Sequence, residues 1–423
     1  MSNISTQPLK GFRDFLPEDM AFQSWFYTKI KQVSSFGGFE EYNGPILENI
    51  DLFAAKSGDE LVKKQAYTIN DKSGNILVLR PEMTPSLARI VANNENNLLF
   101  PLKWFTYGPR FRYENPQKGR GREFFQWDCD ILGTESYLAD AEVILIAASM
   151  YRELGLTPQE VKIKINDRVY IQKELTNLGI PNIKGVIKTI DKKSKVGEET
   201  FENILLDEGL KKDQIERLSG ILANKEGFNK SPRLSEIFSV IEKSDLKDYV
   251  EFDPCIVRGL DYYTSTVFEG WAIKGEFRSI WGGGRYDNLT EQVGSRRSIP
   301  GVGFAMGDMV IKELLKVNGK MPQLETVNSR VLVTIFSNEL KNTSISTLND
   351  FRKSKVPSEI YLEPKDKLDK QIKYADKKGI PFVVVIGPKE KKEDKVTLKD
   401  LKTGEQTTLS LNEVANKIKS STT

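Results

Sequence analysis

The sequence predicts an α/β protein of two domains: an α+β domain over residues 1–325 with a helical insertion at about 170–250, and a smaller α/β domain over 330–423. Three observations predict this. A chain of 423 residues is too long for one ordinary core. Strand-like and helical spacings interleave irregularly over the first part, but alternate regularly after a polar stretch at 318–329. The text between 170 and 250 is lysine-rich and helical in pattern, as an inserted module would be.

The elements follow in order. From Phe22 to Phe36 apolar residues fall at helical spacing, and Gly37-Gly38 ends that helix. Phe39 to Leu47 is extended and broken by Gly44-Pro45. Asn75 to Leu79 is a short strand, after which Thr84-Pro85 supplies an N-cap and a proline at the first helical position for a helix through Val91. Leu102 to Asp130 makes two long strands around a polar, glycine-bearing loop, and Glu135 to Glu153 a helix. Lys211 to Leu222 and Leu234 to Ile241 are helices of the insertion. Strand text returns at 255–283, and Gly301 to Gly307 leads into a helix. Beyond the linker, Val331–Phe336, 341–353, Ile360–Leu362, Leu368–Lys378 and Phe382–Ile386 alternate strand and helix, which predicts a parallel sheet.

Composition excludes several chemistries. The 62 basic and 59 acidic residues nearly balance, so a polyanion site has to be local. Histidine is absent, which removes serine–histidine and cysteine–histidine hydrolysis and the usual zinc sites. Two cysteines, Cys129 and Cys255, stand in apolar strand-like text without metal-ligand spacing, as expected of a reducing compartment. No apolar run is long enough to span a bilayer and Met1 to Lys10 is polar, so the expectation is a cytoplasmic protein with no membrane association. Chemistry is left to arginine, carboxylates, tyrosine, backbone and magnesium.

Such residues are clustered. Between Pro109 and Arg122 stand Arg110, Arg112, Lys118, Arg120 and Arg122 against one acid, Glu114. If this stretch joins two arms of a hairpin, period-2 alternation puts Arg110, Arg112 and Glu114 on one face with Phe124, Gln126, Asp128 and Asp130. Phe111, Tyr113, Phe125, Trp127 and Cys129 take the opposite face, as core. Arginines, carboxylates, an amide and an aromatic platform suit a nucleotide site without a phosphate-binding loop, and neither GxxxxGK[ST] nor a GxGxxG after a strand is present. Arg80-Pro81-Glu82-Met83-Thr84-Pro85 places Glu82 and Thr84 at a helix start, as a cap or as ligands for an ammonium. Arg258-Gly259-Leu260-Asp261-Tyr262-Tyr263 sets a permanent cation beside two phenols ahead of the β-rich run Thr264 to Phe268. Trp281-Gly282-Gly283-Gly284-Arg285-Tyr286-Asp287 lets backbone approach something closely or bends a strand, and the small residues of Gly301 to Gly307 suit the floor of an adenosine pocket.

In this order the segments resemble the class II aminoacyl-tRNA synthetases, specifically the histidyl-tRNA synthetase family, over nearly the whole chain from Leu9-Lys10-Gly11-Phe12-Arg13-Asp14 onward. Phe111-Arg112-Tyr113-Glu114 with Arg122-Glu123-Phe124 is similar to the second class motif, and the region around Pro45 to the first. Arg258 to Glu269 and Gly283 to Asp287 are similar to the pair of segments peculiar to the histidine enzymes. Lys373-Tyr374-Ala375-Asp376-Lys377-Lys378-Gly379 is similar to part of their anticodon-binding domain. The resemblance implies an antiparallel β-sheet flanked by helices, and a ligase that joins histidine to tRNA(His) with ATP and Mg2+ as a homodimer. It implies that Arg112 and Arg258 are catalytic at the α-phosphate. Glu82, Thr84 and Gln126 would hold the substrate ammonium, and Asp130, Tyr263 and Tyr286 would face the imidazole. Phe124 would stack on adenine, Glu114 would read its amino group, and Gln117 and Arg122 would meet the tRNA acceptor end. No protein metal ligand is implied.

The chain departs from the family pattern at three places. Val310 stands where the third class motif carries an arginine, so that Arg120 or another basic residue would hold the γ-phosphate instead. Asp130 stands where many relatives have glutamate, and Phe125 where many have histidine. A non-catalytic relative, the regulatory subunit of ATP phosphoribosyltransferase, is the alternative; Arg258, the intact arginine loop and a full C-terminal domain favour the enzyme.

Overall fold

The computed structural model describes residues 5–54, 65–258, 262–274 and 279–421, so Gly259, Leu260 and Asp261 lie outside the described residues. The chain divides into two compact units, Met1–Pro322 and Gln323–Thr423.

The first unit is built on an eight-stranded sheet. Its strands are β1 (Glu40–Glu41), β5 (Leu102–Phe111), β6 (Glu123–Leu132), β7 (Val161–Asp167), β8 (Val250–Phe252), β9 (Thr266–Ala272), β10 (Ser279–Arg285) and β11 (Gly301–Gly307), in the spatial order β1-β5-β6-β11-β10-β9-β7-β8. All neighbours are antiparallel except at the two edges, where β1 runs parallel to β5 and β8 to β7. A separate antiparallel sheet joins β2 (Leu47–Asn49), β4 (Ile76–Leu79) and β3 (Tyr67–Asn70).

Helices bury one face of the large sheet. α1 (Pro17–Phe36) starts on a proline with Glu18 and Asp19 in its first turn, where acids suit the helix dipole. It buries Phe22, Phe26, Ile30 and Val33 at helical spacing. The helix Tyr137–Glu153 is capped by the Ser136 hydroxyl and buries Ala141, Ile144, Ala148 and Tyr151. Between β7 and β8 the insertion is helical as expected, with five α-helices from Arg168–Asn177 to Pro232–Ile241. The helix Asp308–Val317 follows β11 directly.

Two expectations change. Cys255 sits in a turn after β8 rather than in a strand, while Cys129 is buried in β6. In the second unit only β13 (Ser358–Ile360), β12 (Val331–Val333) and β14 (Phe382–Val385) are parallel. β15 (Val396–Asp400) and β16 (Gln406–Leu409) then add antiparallel, so the sheet is mixed. For β16 the reason is local, since a turn closed by Asp400 N–H on Glu405 O joins it to β15 as a hairpin and no crossover helix intervenes. Val331, Val333, Phe351, Val384, Leu398 and Val414 form the core of this unit.

Candidate active site

The hairpin of β5 and β6 has the predicted register. Arg110 pairs with Phe124 and Gly108 with Gln126, so the arginine and the even-numbered residues of β6 share one face. Phe124, Gln126, Asp128 and Asp130 all line one cavity of about 1520 Å³ in the first unit. The other face is core: Trp127 and Cys129 are inaccessible. Tyr113 differs from expectation. It lies past the end of β5, is 52% exposed, and carries the Arg122 guanidinium 3.8 Å above its ring.

The basic cluster divides into distinct jobs. Arg110 is fully buried and forms a 2.6 Å ion pair with Asp128, so it neutralises the floor of the site rather than offering charge to a ligand. Burial still pushes Asp128 upward, with Arg110 and Arg80 opposing. Arg112 donates from Nε to Pro81 O at 2.9 Å and lies 5.3 Å from the Phe124 ring centre. Arg120 and Glu114 line the same cavity as an ion pair at 3.7 Å. Gln117 and Arg120 exchange backbone hydrogen bonds around Lys118-Gly119, where Gly119 takes φ +77° and rests on Val310. Gln117 opens onto a smaller neighbouring cavity with Tyr113 and Arg120. Arg122 is placed outside the main cavity, where its Nε donates to Glu114 O and its backbone N–H to Gly11 O.

At the helix Thr84–Asn94, Met83 takes the cap position and Thr84 is the first helical residue. No side chain caps this helix, which corrects the expected capping role of Thr84 and leaves its hydroxyl to the cavity it lines. Glu82, 6% exposed, accepts a 3.3 Å hydrogen bond from Tyr262. Gln126 Oε1 is buried and has no hydrogen-bond partner among the described residues. A buried acceptor left unpaired is costly, and an ammonium would satisfy it.

Asp130 and Tyr286 close another end of the cavity. Tyr286 donates to Asp130 Oδ1 at 2.6 Å. Burial drives the Asp130 carboxyl well above the usual range, while the Tyr286 hydrogen bond pulls it partly back. Arg285, next to Tyr286, is buried against Asp140 at 2.6 Å and Asp287 at 3.1 Å, and Arg233 of the insertion reaches the same Asp140 at 2.7 Å. Thr264 donates to Asp287 at 2.5 Å, so the stretches bearing Tyr263 and Tyr286 hang on one buried network.

Arg258 takes φ +54°, a conformation that residues other than glycine rarely adopt. Its Nη1 donates to Glu269 Oε1 at 2.8 Å, and its guanidinium lies 5.9 Å from the Tyr263 ring centre. Burial works against the cation, but Glu269 and Tyr263 more than offset it, and the charge is held firmly. The guanidinium passes so close to β10 that a Cβ at Gly282 would stand 1.8 Å from Nη1. Close approach is therefore the meaning of this glycine.

Some site residues carried no role in the sequence reading. Glu269 and Trp271 share a face of β9 and line the cavity, and the signal was the period-2 set Val267, Glu269, Trp271. Asp308, 1% exposed, accepts from Arg13 at 3.0 Å, from Gln23 at 2.6 Å and from Phe125 N–H at 2.9 Å, holding the backbone between Phe124 and Gln126. Lys184, Lys188 and Lys192 of the insertion line the cavity as well, and their four-residue spacing was visible.

The chain has relatives along its whole length. Residues 11–310 match the family model described as histidyl-tRNA synthetase, and residues 330–421 match that of an anticodon binding domain. A histidine–tRNA ligase of Pyrococcus horikoshii is 36% identical over 97% of this chain and 98% of its own length. The chloroplastic/mitochondrial histidine–tRNA ligase of Arabidopsis thaliana is 35% identical over 97% of this chain and 86% of its own. Among solved structures, the histidyl-tRNA synthetase of Nostoc sp. PCC 7120 superposes with a TM-score of 0.81 and 26% identity, covering 99% of each chain.

Proposed function

Since this chain belongs to the histidyl-tRNA synthetase family, it is a histidine–tRNA ligase that activates histidine with ATP and transfers it to tRNA(His); on that premise we propose how its residues divide the work. The observation that carries the assignment is the order of groups along one face of β6. Phe124, Gln126 and Asp130 follow at two- and four-residue intervals, roughly 20 Å end to end at the usual strand rise. That order is adenine platform, ammonium acceptor and ring acceptor, as an aminoacyl-adenylate would lie.

In this assignment the histidine ammonium is held by Glu82, Thr84 and the unpaired Gln126 oxygen, and the imidazole by Asp130, Tyr263 and Tyr286. Phe124 stacks on adenine and Glu114 accepts from its amino group. Arg112 binds both the histidine carboxylate and the α-phosphate, Arg258 binds the α-phosphate, and Arg120 takes the γ-phosphate. A carboxylate oxygen attacks the α-phosphorus, the bond to the β-phosphate oxygen breaks and pyrophosphate leaves. The terminal ribose hydroxyl of the tRNA then attacks the carbonyl carbon and AMP departs. The nucleophile of the first step is already ionised at neutral pH, so a chain without histidine lacks nothing that activation needs. Positioning and charge stabilisation do the rest.

Among the described residues no three acids or cysteines converge as a metal cluster, and Glu114 and Glu269, which line the cavity, are each engaged with an arginine. Magnesium would enter with the ATP phosphates and would supply charge neutralisation there, with Arg112, Arg258 and Arg120 as the protein's own cations around them. Gln117 and Arg122 are assigned to the tRNA acceptor end. A homodimer through the region around Pro45 is supported by Ile46, Leu47, Ile69 and Ile76, which are 40–47% exposed there. No described helix is long and apolar enough to cross a membrane, and a cytoplasmic place accords with the substrates.

The regulatory-subunit alternative has no use for Arg258, the arginine loop and the anticodon-binding unit, and this chain has all three. Pyrophosphate exchange with ATP and each of the twenty amino acids tests the assignment. Exchange should be confined to histidine; exchange with another amino acid and none with histidine would overturn it, and none at all would favour the regulatory subunit.

A further inference from the structure

Arg258 is assigned above to the α-phosphate, and what holds that arginine is a separate question. We propose that Glu269 is the positioning residue of the activation step, fixing the Arg258 guanidinium, and that Trp271 in turn fixes Glu269.

The two strands supply the parts together. Gly282 of β10 and Glu269 of β9 are direct partners in the ladder. Gly282 leaves the space that the guanidinium enters, and its neighbour across the ladder supplies the carboxylate that meets it at 2.8 Å. Room and anchor are thus one cross-strand pair. The second oxygen of Glu269 is also committed, accepting from Trp271 Nε1 at 3.1 Å on the same face of β9. With both oxygens engaged the carboxylate cannot rotate without losing a bond. Trp271 is covered by Lys164, 4.7 Å from its ring centre, and Lys164 is held by Asp253 at 2.8 Å. Arg258 Nε, meanwhile, has no hydrogen-bond partner among the described residues and so keeps a donor for a ligand.

Glu269 acts in two opposed ways. As an anion beside Arg258 it weakens the pull on a phosphate, yet as an anchor it removes the rotamer freedom that a long arginine side chain otherwise retains. A misplacement of about 1 Å in such a group can cost 10²-fold in rate, so orientation should dominate the chemical step while the charge term should dominate ATP binding. Removing the carboxylate charge should then lower kcat without raising the KM for ATP. A merely structural contact would not divide its effect this way.

The test is pyrophosphate exchange by the full chain with histidine, ATP and Mg2+, for wild type, Arg258→Ala, Glu269→Gln, the double variant and Trp271→Phe, with melting temperatures for each. Glu269→Gln should lower kcat by about tenfold or more, with the KM for ATP unchanged or lower. In the Arg258→Ala background the same change should cost less than about twofold, because the residue it positions is gone. Trp271→Phe, which keeps the carboxylate, should lower kcat by about threefold and serves if Glu269→Gln does not fold. Normal kcat in Glu269→Gln or, where that variant does not fold, in Trp271→Phe overturns the proposal, as do multiplicative losses in the double variant. A wild-type rate in Arg258→Ala would instead overturn the assignment of Arg258 itself.

Discussion

Tyr286 donates a 2.6 Å hydrogen bond to Asp130 although 156 residues separate them, and both side chains are almost wholly buried. The free protein therefore keeps a carboxylate where burial opposes its charge. A carboxyl whose folded pKa is raised binds more protons folded than unfolded between the two values. Stability falls as pH rises from the ordinary 3.8 through the raised folded value, and at neutral pH the cost is in force. Asp130→Asn should raise the Tm of the free protein at pH 7, by roughly 2 °C per kcal/mol recovered. It should also raise the KM for histidine about tenfold or more, because the imidazole loses its carboxyl partner. Calorimetry and exchange kinetics on one preparation read both signs.

Thr84 separates a cap from a ligand. Its side chain makes no cap hydrogen bond, so Thr84→Ala should leave Tm within about 1 °C, whereas loss of a true cap typically costs about 1 kcal/mol. The KM for histidine should rise by about tenfold, the usual worth of a hydrogen bond to a charged group. A fall in Tm with unchanged KM would restore the capping role.

Gly282→Ala adds one methyl where 1.8 Å separates it from Arg258 Nη1. The guanidinium has to move, and the exchange rate should fall by about 10²-fold while histidine binding measured by calorimetry stays within about threefold.

Arg120 is 52% exposed on its loop beside Glu114. Arg120→Ala should raise the KM for ATP by about tenfold and leave Tm unchanged, with Val310 unable to compensate. An unchanged KM would remove Arg120 from the γ-phosphate.

Asp140 is inaccessible and holds two arginines, Arg285 and Arg233. Asp140→Ala strands both charges and should destabilise the first unit by roughly 3–5 kcal/mol, seen as a lower denaturation midpoint. Arg233→Met removes only the partly exposed partner and should cost clearly less.

Much of the site was legible because its residues lie on regular elements. Phe124, Gln126 and Asp130 share a face by the strand period alone, and the hairpin register followed from the turn-rich text between its arms. What stayed hidden is which partner each charge is spent on. The period places Arg110 and Asp128 on one face of the hairpin but does not say that the arginine is spent on that carboxylate rather than on ligand, and the Glu269 contact depends on the turn that folds Arg258, at φ +54°, back onto β9 and β10. Tyr113 misled because alternation was carried two residues past the last ladder pair, Phe111 with Glu123. In the second unit, β15 and β16 carry charged and hydroxyl residues at most positions, so their strand character was masked and a wholly parallel sheet was expected.

The contact of Arg13 with Asp308 bridges 295 residues, and Gly11 O receives the Arg122 N–H that closes the arginine loop. During synthesis the segment around residues 11–13 leaves the ribosome early and has to wait for the partner that follows β11. The nucleotide end of the cavity thus depends on one of the longest loop closures among the described residues, and a nascent fragment ending before Asp308 would contain the arginine hairpin without the carboxylate that ties Phe125 to Arg13 and Gln23.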